Sequence, residues 1–150
     1  MPVGTIIVLA FLAFVAVTIF KGVRIVPQGY KWIVQRLGKY HSTLNPGLNF
    51  VIPYIDDVAY KVTTKDIVLD IPSQEVITRD NAVLLMNAVA YINLTTPEKA
   101  VYGIENYTWA IQNLVQTSLR SIVGEMDLDD ALSSRDHIKA KLKAAISDDI

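Results

Sequence analysis

The 150-residue chain contains no cysteine, and its first twenty residues contain no charged side chain. Without cysteine the chain can form no disulfide, thiolate metal site or cysteine nucleophile, and it cannot be palmitoylated. The only two histidines, His41 and His137, lie beside no nucleophile in the sequence, so we expect solvated or hydrogen-bonding roles for them. No G-x-S-x-G, G-x-G-x-x-G, P-loop or H-E-x-x-H pattern occurs. The sequence therefore predicts neither catalysis nor a cofactor, and a membrane-bound hydrolase is the enzymatic alternative.

One dense acidic group could suggest a metal site, but its spacing is wrong for one. An EF-hand loop needs regularly spaced acids, a central glycine and a final glutamate, and these are missing. We expect Asp127 to cap a short helical turn that contains Leu128 and Leu132, with the other carboxylates in solvent. The acidic group consists of Glu125, Asp127, Asp129 and Asp130.

The uncharged start of the chain is long and apolar enough to cross a membrane. Residues 3–20 would form a helix of about 27 Å, close to the thickness of the bilayer hydrocarbon core. Twelve aliphatic or aromatic residues in this run favour insertion by about 4–7 kcal/mol. We therefore predict a membrane anchor over residues 1–22, with these bilayer-facing residues: Val3, Ile6, Ile7, Val8, Leu9, Phe11, Leu12, Phe14, Val15, Val17, Ile19 and Phe20.

A cleaved signal peptide is the alternative interpretation of this run. Such a peptide has a basic segment first, an apolar core of 7–15 residues and small residues before the cleavage site. Here no basic residue precedes Lys21, the apolar run is longer, and no A-x-A pattern precedes Lys21. These features favour an uncleaved anchor.

The charges after the anchor are distributed unevenly. Residues 21–55 carry five basic residues and no acid, whereas residues 56–150 carry nine basic and fifteen acidic residues. The positive-inside rule then predicts a single-pass protein of the cell inner membrane, with its N-terminus outside and its domain in the cytoplasm. Basic residues next to a span also attract anionic headgroups, whereas the absence of a basic cluster further on argues against nucleic-acid binding. We call the five residues the basic collar: Lys21, Arg24, Lys31, Arg36 and Lys39.

The chain after the anchor changes from strand patterns to helix patterns. Strands are predicted over residues 30–37, 48–52, 58–63, 66–71 and 82–94, connected as an antiparallel meander. Val58, Tyr60 and Val62 should share one face, as should Ile67, Leu69 and Ile71; the last strand has an apolar face at every even position from Leu84 to Leu94.

Three helices are predicted in the second half of the chain. Thr96 and Pro97 should begin one that ends at Gly103, and Asn106 should cap a second that runs to Gly124. Ser133 and Asp136 resemble a capping box before a third helix. The buried stripes should contain Ile111, Leu114, Val115, Ser118, Leu119, Ile122 and Val123, and then Ile138, Leu142, Ala145 and Ile146. Strands followed by helices predict the α+β class. The last helix pattern runs to Ile150 without a stop signal, so we expect a domain that continues further.

Residues 48–55 are unusually apolar for a segment that follows a basic collar. One interpretation is a buried strand. The other is a hairpin that dips into the headgroup region beside the anchor, where aromatic side chains are favoured. The residues of this membrane dip would be Leu48, Phe50, Val51, Ile52 and Tyr54.

Taken together, these segments resemble the SPFH family (stomatin, prohibitin, flotillin, HflK/C), and within it the stomatin-like, paraslipin or QmcA-type bacterial branch. The resemblance covers residues 24–150 nearly without a gap. Five groups of motifs occur in the family's order: VPQGY at 26–30, RLGKY at 36–40 with PGLNFVIP at 46–53, LDIPSQEVITRDN at 69–81, QTSLRSIVG at 116–124 and LSSRD at 132–136.

The resemblance implies an SPFH (band 7) domain over residues 23–150, whose last strands and following coiled coil would lie beyond this sequence. It implies a noncatalytic, membrane-anchored scaffold whose copies assemble into rings or cages. Such assemblies organise membrane microdomains and regulate membrane proteases, channels or transporters. The resemblance also implies that the chain contacts the bilayer and further copies of itself. An NfeD-type membrane protein or a membrane AAA protease is a further partner that it implies. An alternative function is an adaptor that tethers one membrane enzyme through the acidic helical half.

Overall fold

The computed structural model describes residues 3–149, which form seven strands and then four helices after an N-terminal helix. The strands-then-helices order confirms the predicted α+β class. Met1, Pro2 and Ile150, at the ends of the predicted ranges 1–22 and 23–150, lie outside the described residues. The elements are α1 (Val3–Gly22), β1 (Val23–Val26), β2 (Tyr30–Arg36), β3 (Lys39–Leu44), β4 (Gly47–Phe50), β5 (Asp56–Thr63), β6 (Ile67–Ile77), β7 (Val83–Ile92), α2 (Pro97–Gly103), α3 (Tyr107–Gly124), α4 (Leu128–Ser133) and α5 (Arg135–Asp149).

The described chain divides into two compact units. The first contains the chain through Lys65 together with Asn93–Ala100, and the second contains Asp66–Ile92 and the chain from Val101 onward. In the first unit β1 pairs with β4, and β2 lies between β3 and β5. All these pairs are antiparallel, as predicted. The predicted meander is wrong in this unit, because two of its pairings join strands that are not consecutive, and β1 and β3 were not predicted.

The core of the first unit lies around the central strand β2. Its adjacent residues Ile33 and Val34 are both fully buried, so both faces of the strand are covered. Val34 packs with Val26 of β1, Leu44 of β3 and Val51, which follows β4. The β1–β4 pair, called here the ribbon, therefore buries one face against the unit's core.

Bulges in this sheet change which side chains are buried. Ala59 is an extra residue in β5, since Ile33 pairs with Tyr60 and Val34 with Val58. The bulge reverses the alternation, so Val58 packs on the core while Tyr60 is exposed. The prediction that Tyr60 shares the face of Val58 is therefore wrong. His41 is the extra residue of a second bulge, in β3.

The second unit contains the hairpin β6–β7. Ile67, Leu69 and Ile71 face inward as predicted, and the even positions of β7 are half-buried. The register then shifts between Ile71 and Gln74. Because this bulge adds one residue, the buried face continues at the even positions Gln74 and Val76, and β6 runs six residues beyond its predicted end.

The helices α2 and α3 begin and end as predicted. The Asn106 side chain accepts a hydrogen bond of 3.1 Å from the Trp109 amide, which satisfies a free N–H of the first turn of α3. Val115, Leu119 and Val123 of α3 are buried and pack in two clusters with residues of β6, including Val76 and Ile71.

The predicted capping box at Ser133 and Asp136 is wrong. Ser133 is the last residue of α4, and its hydroxyl donates to the Asp129 carbonyl oxygen at 2.6 Å. Asp127 precedes α4 as expected but makes no side-chain cap. In α5 the predicted buried stripe is half-buried at Ile138, Leu142 and Ile146, whereas its fourth member, Ala145, is exposed.

Candidate membrane-contact surface

The helix α1 has the length and composition of a membrane span. It contains 20 residues, and an 18-residue window within it has a mean hydropathy of 2.8. Within residues 3–149 it is the one helix that meets these criteria, which a signal sequence also meets. Its apolar side chains are exposed from Val3 to Phe20. This helix therefore offers a large apolar surface that no other described part of the chain covers.

A close backbone contact joins the end of α1 to the segment that follows β4. The Val51 amide donates a hydrogen bond of 2.8 Å to the carbonyl oxygen of Gly22. A Cβ atom at Gly22 would lie only 2.7 Å from the Val51 carbonyl oxygen. Glycine thus allows α1 to end directly against the ribbon.

The ribbon exposes an apolar face beside this junction. Ile25 stands opposite Leu48, and Val23 stands opposite Phe50. Directly opposed residues of an antiparallel pair lie on the same face. Ile25 is 71% exposed, Leu48 72% and Phe50 65%. We call Val23, Ile25, Leu48 and Phe50 the apolar ribbon face; its opposite side carries the buried Val26.

The turn after β4 extends this apolar surface. Ile52 and Tyr54 are exposed, whereas Val51 is only 7% exposed. The buried-strand interpretation of residues 48–55 is therefore wrong, since β4 ends at Phe50 and most of the segment is exposed. Val51 is also a correction to the predicted membrane dip, because it lies in the core.

Two exposed apolar residues near the ribbon and its turn were missed by sequence reasoning. Ile25 was missed because β1 was not predicted, although the alternation of residues 23–26 is a weak strand signal. Leu37 is 85% exposed at the tip of the β2–β3 hairpin. Its amide donates to the Ile55 carbonyl oxygen at 3.2 Å, which places it beside the turn. The Leu37-Gly38 dipeptide before a strand could have indicated this exposed tip.

The basic collar separates into residues with different environments. Arg36 Nε and Nη2 donate to the Asp56 carboxylate at 2.7 and 3.1 Å. These bonds, together with one from the Ile52 amide, lower the pKa of Asp56 to about 2. Arg36 is thereby neutralised, which weakens its predicted role in headgroup contact. Lys31 Nζ donates to the Thr95 carbonyl oxygen at 3.4 Å.

The other three members of the collar are exposed. Lys21, Arg24 and Lys39 form no ion pair with any residue whose side chain is described. Lys21 Nζ lies 5.8 Å from the centre of the Tyr54 ring. Lys21 belongs to the last turn of α1. Arg24 lies between Val23 and Ile25 in β1, so its side chain is on the side of the ribbon opposite the apolar ribbon face.

The second unit contains polar contacts that join its strands and helices. Gln74 is buried; it donates to the Gln116 carbonyl oxygen at 3.1 Å and accepts from Arg120 at 2.8 Å. Asp127, a member of the acidic group, binds Arg79 through bonds of 2.6 and 3.1 Å. These bonds raise the pKa of Arg79. The bonds of Gln74 connect β6 with α3. The bonds between Arg79 and Asp127 connect the segment after β6 with the segment before α4.

No metal-binding cluster is found among the side chains that the structure describes. Among residues 3–147 no three histidine, aspartate or glutamate side chains are grouped to hold a metal ion. His41 and His137 are exposed, in different units. The surface considered for function is the apolar one around the end of α1, where it joins the apolar helix.

Comparison with known proteins identifies relatives along nearly the whole chain. Residues 24–150 match the model of the SPFH domain / Band 7 family. The chain is 38% identical over 122 residues to human stomatin-like protein 2, mitochondrial, covering 81% of this chain and 34% of that protein. An uncharacterised protein of Mycobacterium tuberculosis (strain ATCC 25618 / H37Rv) is 37% identical over 149 residues, covering 97% of this chain and 39% of its own length.

An archaeal relative is similar over a comparable range. An uncharacterised protein of Methanocaldococcus jannaschii is 45% identical over 124 residues, which is 83% of this chain and 62% of that protein. The chain spans about a third of the length of the human relative.

Proposed function

Since the chain belongs to the SPFH domain / Band 7 family, we propose that it is a noncatalytic scaffold held at a membrane by residues 1–22. Residues 23–150 would form the family domain, lying flat on the bilayer. The observation that carries this proposal is the exposed apolar ribbon face, which continues directly from the end of an apolar helix. A chain that kept both surfaces in water would expose far more contiguous apolar area than soluble monomers do.

The membrane dip is proposed with a revised set of residues. Leu48, Phe50, Ile52 and Tyr54 would enter the headgroup region together with Ile25. Burying a large apolar side chain completely contributes about 1.5–3 kcal/mol, so even partial burial of this face would add several kcal/mol to the attachment. Leu37, at the tip of its hairpin, would make a further contact.

The proposed orientation places the N-terminus outside and the domain in the cytoplasm, at the inner membrane. The five basic residues of the collar, at the end of the anchor and after it, support this orientation, because lysine and arginine near a span remain on the cytoplasmic side. Arg36 is neutralised by Asp56, so the exposed residues Lys21, Arg24 and Lys39 would be the ones that act on anionic headgroups.

The scaffold would work through assembly of many copies. When copies are joined to one another, the anchor of each copy stays close to the membrane as long as the other copies remain bound. Each anchor therefore binds the bilayer at a high effective concentration, and the attachment of the assembly is collective. A ring or cage of this kind would organise a membrane microdomain and regulate clients such as proteases or transporters. An NfeD-type membrane protein or a membrane AAA protease would be a suitable partner class.

Chemical crosslinking of the protein in its native membrane tests the assembly. The expected result is a ladder of high-order species that disappears when the membrane is dissolved before the crosslinker is added. A strict monomer at every crosslinker concentration would contradict the scaffold.

An adaptor for one membrane enzyme is the second candidate. It is favoured by Asp129 and Asp130, whose carboxylates remain exposed in the first turn of α4 while Asp127 is neutralised by Arg79. The two exposed acids could contact a basic surface of a partner.

A further inference from the structure

A cavity of about 410 Å³ lies where α1 meets the ribbon. One side is formed by the end of α1 and the start of β1, with Phe20, Lys21 and Arg24. The other side is formed by the turn after β4, with Pro53 and Tyr54. All of these residues belong to the first unit. We call this space the junction cavity.

The junction cavity carries an excess of positive charge. Lys21 and Arg24 have no acidic partner among the residues whose side chains are described. The one acid in its wall is Asp56, and both carboxylate oxygens of Asp56 are occupied by Arg36, with a further bond of 2.9 Å from the Ile52 amide. The charge of Asp56 is therefore balanced by Arg36, and Lys21 and Arg24 have no counter-ion in the cavity wall.

The wall of the cavity is held in an uncommon backbone conformation. Tyr54 has a φ of 76°, a left-handed value that is costly for a bulky residue and concentrates at functional sites. The turn is fixed by amide hydrogen bonds from Ile55 and Asp56 to the Ile52 carbonyl oxygen. This conformation holds the Tyr54 ring 5.8 Å from Lys21 Nζ.

The cavity also has an apolar side toward the anchor. Phe20 is 81% exposed and is the last apolar residue before Lys21. In a bilayer, Phe20 would lie at the edge of the hydrocarbon core and the two basic residues at the level of the phosphates. The cavity thus presents an apolar contact next to two cations, which matches the junction between the acyl chains and headgroup of a phospholipid.

We propose that the junction cavity binds the phosphate of one anionic phospholipid, through Arg24 and Lys21. This proposal rests on the proposed membrane attachment. The planar guanidinium of Arg24 suits two hydrogen bonds to phosphate oxygens, and Lys21 adds a mobile point charge. A zwitterionic lipid would bring its own cation beside these two residues, so an anionic headgroup is preferred.

The test uses the full chain in a neutral detergent, titrated with phosphatidylglycerol or phosphatidylcholine, with bound lipid counted by native mass spectrometry. One phosphatidylglycerol per chain should bind in preference to phosphatidylcholine. R24Q should weaken this binding about fivefold and K21Q/R24Q about 30-fold, the effect of one and two basic residues next to an anionic lipid. The matched control K143Q removes the same charge from an exposed position of α5, outside both the collar and the cavity, and should change binding less than twofold.

Three results would overturn the cavity proposal: equal binding of the two lipids, equal losses in R24Q and K143Q, or displacement of the lipid by inorganic phosphate. The last result would assign the site to a free anion. If circular dichroism shows that K21Q/R24Q is unfolded, the lipid binding of the single variants K21Q and R24Q is used instead to test the cavity proposal.

Flotation of the same proteins with phosphatidylcholine vesicles separates this proposal from the membrane attachment on which it rests. Variants that float normally but no longer select phosphatidylglycerol support the cavity. An unaltered chain that floats but does not discriminate between lipids rejects the cavity alone. An unaltered chain that fails to float rejects the attachment as well.

Discussion

The carbonyl oxygen of Gly22, the last residue of α1, accepts a hydrogen bond of 2.8 Å from the Val51 amide. This bond connects an apolar helix to the core of the first unit, since Val51 packs with Val26 and Val34. The anchor and the ribbon therefore meet in a defined geometry, and the exposed apolar ribbon face starts at that contact.

Replacing Gly22 with alanine should destabilise the first unit. The new Cβ would lie 2.7 Å from the Val51 carbonyl oxygen, a distance that forces backbone movement and costs about 1–3 kcal/mol. Thermal unfolding in detergent measures the effect. Gly4→Ala is the matched control, because nothing lies within 4 Å of its Cβ; equal melting of the two variants would contradict the close contact.

Polar substitution of the ribbon face should weaken membrane binding that does not depend on α1. In a chain that begins at Gly22 and so keeps the acceptor for Val51, Leu48→Ser with Phe50→Ser should lower the binding to vesicles at least tenfold. The reason is the loss of apolar area worth about 1.5–3 kcal/mol for each side chain when fully buried. Co-sedimentation with vesicles measures the binding.

The control for the ribbon face lies in the second unit. Val68 and Val89 are exposed strand residues of β6 and β7, and their double serine variant should bind vesicles as the parent does. Equal losses in the two double variants would show that general surface hydrophobicity, and not the ribbon, drives binding. Unchanged binding of the ribbon variant with an intact fold would reject the membrane dip.

The pair of Arg36 and Asp56 should make stability depend on pH in the acidic range. The folded pKa of Asp56 is about 2, against a usual value of 3.8. A lowered folded pKa contributes stability that is complete above about pH 4 and is lost as the pH falls toward 2. Asp56→Asn should therefore flatten the pH dependence of the unfolding free energy between pH 4 and pH 2 and lower stability at neutral pH.

Denaturant titrations across this pH range check the Asp56 prediction. The exposed neighbour Asp57 provides the control, because Asp57→Asn removes a carboxylate without removing the ion pair. A pH profile that changes equally in the two variants would show that the pair with Arg36 is not the cause.

Changing the β2–β3 turn should separate stability from membrane contact. Leu37 has a φ of 50° and Gly38 a φ of 84°, the pattern of a type I′ turn, which favours Asn-Gly. Leu37→Asn should raise the unfolding free energy by about 1 kcal/mol, since asparagine tolerates the left-handed region, and should lower vesicle binding. Leu37→Ala should lower binding by a similar factor without the gain in stability.

Charge reversal on α4 should distinguish the adaptor from the scaffold. Asp129→Lys with Asp130→Lys changes two exposed acids of the first helical turn. Loss of partner recovery with intact crosslinked ladders would favour the adaptor, whereas loss of the ladders would favour the scaffold. Asp70→Lys with Glu75→Lys, two exposed acids of β6, is the matched control for the change in net charge.

Features that depend on local pattern were predictable from the sequence. The helix α1 follows from an uninterrupted apolar run, β7 from strict alternation over residues 83–92, and the start of α3 from the Asn106 cap. The excess of basic residues in 21–55 is likewise a property of composition alone. Each of these features is decided by neighbours in the chain, which is why a single sequence was enough.

The tertiary structure decided the features that join distant segments. Pairing of Ile25 with Leu48 creates the apolar ribbon face, and Asp56 rather than a lipid neutralises Arg36. A single extra residue at Ala59 turns Tyr60 outward, because side chains alternate across a strand and one insertion reverses every later position. Local periodicity carries no information about which distant strand will pair or where a bulge will fall, and the membrane-contact surface depends on both.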